Sequence, residues 1–239
     1  MSASARKQHA DKTEIKMTTM KQQKHKPLII NVLIAFSGIA LVAGCSSTKG
    51  YKQADKTGES INTLRNDVVN IKSAVDASMK ALDGLEAAAT TNPRKPYEEF
   101  AKSVDKVEDA HKTAMNHANT MQERGAAYFK DWEAQLSNVQ SEEIRKLAQE
   151  RKTKLQETFG NIKTAAQDAK QSFPPFLSNL KDIRTALGAD LTVQGIDATK
   201  EIFMKTKASG VEVQKHLDSL ITELNSVVAA ITAAKQPKA

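Results

Sequence analysis

Apolar residues recur along most of this chain at alternating spacings of three and four, interrupted at a few points by proline, asparagine and serine. The first series runs Ile61, Leu64, Val68, Ile71, Val75, Leu82 and Leu85, with Ser78 in a seam position. Asn92, Pro93 and Pro96 interrupt it. A second runs Tyr97, Phe100, Val104, Val107, His111, Ala114, Ala118, Met121, Gly125, Tyr128, Trp132, Leu136 and Val139. Residues 137–143 predict a tight turn, with Ser141 capping the helix that follows. A third series carries Ile144, Leu147, Leu155, Phe159, Ile162, Ala166, Ala169 and Phe173, and resumes at Phe176, Leu177, Leu180, Ile183 and Leu187. Between its halves, Pro174-Pro175 predicts a kink or short break, because an interior proline removes an N–H donor and crowds the preceding turn. Gly188 predicts its end. The last series holds Val193, Ile196, Phe203, Thr206, Gly210, Val213, Leu217, Leu220, Leu224, Val227 and Ile231, and stops before Pro237.

This spacing places one apolar stripe on each of four helices. Their expected lengths are about 32, 43, 47 and 44 residues, so the longer three measure some 65 Å at 1.5 Å per residue. Near-equal helices joined by short turns pack antiparallel. The predicted fold is therefore all-α: an elongated up-down-up-down bundle with coiled-coil-like seams over residues 59–236. On the polar faces, Glu98 with Lys102, Glu108 with Lys112, Glu150 with Lys154 and Glu201 with Lys205 are expected i,i+4 pairs, each worth about 0.2–0.5 kcal/mol.

The first quarter of the chain reads differently. Residues 46–60 are polar and aperiodic and predict a tether, assigned to residues 45–58, with an r.m.s. span of about 20 Å if flexible. Ahead of it, Lys21, Lys24 and Lys26 precede a charge-free run over residues 27–44, and Ala43 and Gly44 lead into Cys45. A basic cluster, an apolar core and small residues make a secretory signal layout over residues 1–44. The run is at the lower limit for a membrane span and contains Ser37 and Gly38; an uncleaved membrane helix is the other reading. Met20 is a more natural start for such a signal than Met1. Cys45 is the only cysteine, so it has neither an intrachain disulfide partner nor the companions of a Cys-based metal site.

Val42-Ala43-Gly44-Cys45 resembles the lipobox of bacterial lipoproteins. The resemblance implies cleavage after Gly44, a diacylglyceryl thioether on Cys45, and acylation of the new amino group, making membrane lipid the first partner. Neutral Ser46 and Ser47 imply, by the same resemblance, the outer membrane and its periplasmic side.

Charge changes the picture little. The whole chain has a formal charge of +7, but seven basic and two acidic residues fall within residues 1–44, leaving 28 basic and 26 acidic residues beyond. A net charge of +2 offers no global footprint for nucleic acid.

Candidate chemistry is sparse. Glu108 and His111 form one Glu-x-x-His, whereas di-iron bundles use two, and Glu212 with His216 has the wrong spacing. His111 also falls on the seam, where a hydrogen-bonded core histidine is the plainer reading. No catalytic residue, cofactor or metal is expected. The candidate partner-binding residues are Phe129, beside the Tyr128 and Trp132 seam positions, and Arg145, Lys146, Arg151 and Lys152 in the basic run RKLAQERKTK. That run suits anionic lipid or peptidoglycan, although Glu142, Glu143, Glu150 and Glu157 dilute it and a solvated face is the plainer reading. Gly125 and Gly210 on the seams permit close helix approach, or a hinge.

The segments AAYFKDWEAQL and, some forty residues later, PPFLSNLKDIRTALGADL, followed by a long last helix, resemble a family of bacterial envelope lipoproteins described only as a domain of unknown function. The resemblance implies a lipobox, all-helical content and coiled coil over nearly all of the chain after the signal. It brings no activity and no functional residue beyond Cys45. The expected role is a non-enzymatic, membrane-anchored envelope scaffold or adaptor with a protein partner; the alternative is a lipid-handling or stress-related chaperone.

Overall fold

A computed structural model describes residues 49–232, which form four helices. These are α1 (Lys49–Ala87), α2 (Arg94–Leu136), α3 (Glu142–Ala189) and α4 (Val193–Thr232), with no strand among the described residues. The helix boundaries follow local chemistry. The Asn92 side chain accepts the Arg94 N–H at 3.3 Å, and Ser141 accepts that of Ile144 at 3.4 Å, as the turn before α3 predicts. Thr192 accepts the Gly195 N–H at 3.1 Å and donates to the Asp190 carboxylate at 2.7 Å. Each side chain satisfies an amide that the helix itself leaves free.

Polar contacts between helices fix their directions. As α1 runs from Arg65 through Lys72 to Asp83, its partners on α4 fall back from Asn225 through Asp218 to Lys207. Asp105, Glu108 and Glu133 of α2 likewise meet Arg184, Lys181 and Lys152 of α3. Asp67 of α1 meets His117 of α2 at 2.6 Å, and Ser172 of α3 meets His216 of α4 at 2.9 Å. Sequential helices are thus neighbours and antiparallel, α4 closes against α1, and the backbones of the two diagonal pairs stay apart. This is the predicted up-down-up-down bundle. The seam between α2 and α3 is the sparsest of the four.

The core is the apolar series of the sequence turned inward. Phe100, Phe176, Phe203, Ile61, Leu82, Leu180 and Leu224 are fully buried within one contiguous cluster. Each such side chain contributes about 1.5–3 kcal/mol by leaving water. Ser78 is buried on its seam and donates to the Val75 carbonyl at 2.7 Å.

Four expectations need correction. The tether expected over residues 45–58 is helical from Lys49 onward: Ala54 packs on the core, and buried Thr57 donates to the Gln53 carbonyl at 2.8 Å. Its apolar signal was weak because the inward positions are small or hydroxylated. Secondly, of the kink or short break expected at Pro174-Pro175 the break does not occur, and α3 is continuous through both prolines. The carbonyls deprived of partners are those of exposed Lys170 and Gln171, which water can serve, while Phe173 and Phe176 on either side anchor the helix inside. Thirdly, of the expected i,i+4 pairs Glu201 with Lys205 forms at 2.7 Å, but Glu98 turns to Arg94 and Glu108 crosses to Lys181. Fourthly, Ile144 and Leu147, expected in a seam, are 58% and 61% exposed. Among the described residues, no neighbouring helix extends far enough to cover them.

Candidate functional site

Two features break the uniformity of the bundle. The first lies at the end where α1 begins and α2 turns into α3. Tyr128, Trp132 and Phe129 follow one another on α2, with ring centroids 5.4 Å (Tyr128 to Phe129) and 5.5 Å (Tyr128 to Trp132) apart. Phe129 meets Phe159 of α3 edge-on at 5.1 Å. Arg151 places its guanidinium 6.0 Å from the Trp132 ring centroid, within range of a cation–π attraction. Burial pushes the Tyr128 phenol up, and nearby Arg151 opposes this. Tyr51, Gln53, Tyr128, Asp131, Trp132 and Arg151 border an open pocket of about 300 Å³.

The second feature is an apolar cavity of about 120 Å³ beneath the sparse seam between α2 and α3. It exists because the seam positions there are small: Ala114 and Ala118 on α2 face Ala166 and Ala169 on α3. Val68 and Leu217 reach it from the other two helices. His111 closes one end by stacking on Phe173, centroids 4.3 Å apart. Burial lowers the His111 pKa, with Glu108 opposing. The pocket is partly open, and its lining, almost wholly apolar apart from Lys170, suits an alkyl or aryl group.

The sequence candidates do not form one site. Phe129, expected beside the seam, is half-buried against the core. Lys152 is 7% exposed and pairs with Glu133, so it presents no charge to a partner. Arg145 is exposed, but its guanidinium donates to the Val139 carbonyl at 3.2 and 2.6 Å, fastening the turn before α3. Lys146 is exposed, and Arg151 borders the pocket described above. His111 is a stacked seam residue. Among the described residues no group of three or more His, Cys, Asp or Glu is placed to hold a metal, and no helix is long and apolar enough to cross a membrane. Gly44 and Cys45, with the signal over residues 1–44, lie outside the described residues.

Sequence reasoning missed the cavity. Its signal was present in the four alanines at facing seam positions, where most of the seam carries larger side chains.

No curated protein and no solved structure matches the chain. A family model described as "Protein of unknown function (DUF2959)" matches residues 44–234, the whole of the four-helix bundle included. The chain belongs to this family.

Proposed function

We propose that this protein is a non-enzymatic scaffold or adaptor of the cell envelope: a helical rod anchored through acylated Cys45 to the outer membrane and facing the periplasm. The observation that carries the scaffold role is an apolar stripe on the outer face of α4. Met204, Ala208 and Val211 are all exposed, at spacings of four and three, outside the seams that the bundle fills. Such a stripe is what an amphipathic partner helix needs. The test is photo-crosslinking in living cells from position 208, with the captured protein identified. The role requires one envelope protein to be captured and its capture to be lost in Met204→Asp/Val211→Asp. Absence of capture, or capture indifferent to those substitutions, counts against it.

The cavity under the α2–α3 seam favours a second reading, the handling of apolar chains. It predicts that an apolar dye binds the purified protein and that Ala166→Leu, which fills the cavity, abolishes binding without lowering the melting temperature. A chain that binds no dye ends this reading.

A further inference from the structure

We infer that the first two turns of α3 dip into the bilayer interface beside the anchor, making this end of the rod a second, non-covalent membrane contact. The inference rests on the anchor reading above and adds to it a surface and an orientation.

The geometry is a matter of levels along the bundle. Arg124 of α2 donates to the Lys56 carbonyl at 3.1 Å, and Glu133 of α2 pairs with Lys152 of α3, so Lys152 stands about level with the start of α1. At 1.5 Å per residue, Leu147 and Ile144 project about 8 and 12 Å beyond that start. Because α1 and α3 are both antiparallel to α2, the projection points to the same end as the first turn of α1. Three residues separate Cys45 from Lys49, four Cα-to-Cα steps with a reach of at most about 14 Å. The overhang and the reach are therefore similar, and a bilayer holding Cys45 is met by the tip of α3.

The tip is suited to that meeting. Ile144, Leu147 and Tyr51 are 58%, 61% and 66% exposed, although the two aliphatic residues continue the seam of α3. The tip is also held in shape, by the Ser141 cap and by the Arg145 guanidinium on the Val139 carbonyl. On α3 the charges balance, Arg145, Lys146 and Arg151 standing against Glu142, Glu143 and Glu150. Attraction to lipid is thus apolar, and anionic headgroups are not required. Residues 233–239 read AAKQPKA and offer no large apolar side chain to cover Ile144 and Leu147.

The experiment moves the only tryptophan to the tip. The full chain carrying Trp132→Phe and Leu147→Trp is purified from membranes and reconstituted into phosphatidylcholine vesicles containing brominated lipid. Trp132→Phe with Val211→Trp, halfway along the outer face of α4, serves as the control. The mass of the Cys45 peptide is read on the same samples. Strong quenching of Leu147→Trp, unchanged in high salt, with little quenching of the control, is the expected result. Equal quenching at both positions, or none at Leu147→Trp while Cys45 carries its lipid, overturns the inference and leaves the anchor standing. Quenching without lipid on Cys45 keeps the contact and refutes the acylated anchor instead. A tip covered by a second copy of the chain gives an unquenched Leu147→Trp and counts against the inference.

Discussion

The imidazole of His111 lies flat on the ring of Phe173, centroids 4.3 Å apart and planes within 10°. The pair bridges α2 and α3 beside the apolar pocket that both rings line. Burial lowers the His111 pKa from the ordinary imidazole value of 6.5. The unfolded chain therefore takes up this proton first as pH falls. The contribution of neutral His111 is complete above about 6.5 and is lost as pH drops through the lowered folded value. His111→Phe keeps the stack without the titration. Its melting temperature should fall less than that of the parent between pH 7 and pH 5; parallel slopes would show that His111 is not the titrating group.

Thr206 is fully buried, and its hydroxyl has no hydrogen-bond partner among the described residues. Thr206→Val replaces that hydroxyl with a methyl of the same shape. Urea denaturation should show a gain of about 1 kcal/mol, the lower range for relieving an unmet polar group. A loss would mean that the hydroxyl is served by water.

Two glycines should respond oppositely to alanine. A Cβ at Gly160 meets nothing within 4 Å, so Gly160→Ala should gain about 1 kcal/mol from helix propensity alone. At Gly210 the same atom lies 2.5 Å from the Met79 sulfur and 3.0 Å from the Phe176 ring. Met79 can swing aside, but Phe176 is fully buried and cannot. Gly210→Ala should therefore forfeit that gain and lower the melting temperature. Equal gains at both sites would mean that α1 and α3 do not approach α4 this closely.

Lys152 is buried and Glu133 reaches it from an exposed position on α2. Glu133→Ala strands the ammonium and should cost about 1–3 kcal/mol. Lys152→Met removes the charge with the stem retained and should cost less. Chemical denaturation of both variants and the double variant checks this; additive losses would deny the pair.

The fold was legible because its information is periodic. Ile61 to Leu85 and Phe203 to Ile231 bury the residues their spacing marks, and Ser78 and Thr206 show that position outweighs residue type once neighbours are fixed. What was not legible depends on where neighbours end. Ile144 and Leu147 have the right spacing and, among the described residues, no helix beside them. Residues 49–58 have a partner in α2 but only Ala54 and Thr57 to announce it. Lys152 reads as a surface charge until Glu133 is seen beside it, and Phe129 as a surface ring until Phe159 is. The proline pair does not break α3, since its orphaned carbonyls lie on the wet side of the helix, a fact of helix rotation that spacing alone does not decide.

The anchor is the claim on which the functional account turns, and the mass of the N-terminal peptide from membrane-extracted protein tests it most directly. The account predicts a chain beginning at Cys45, with that residue carrying a diacylglyceryl group and an acylated amino group. A peptide that continues upstream through Gly44, or a Cys45 with a free thiol, contradicts it.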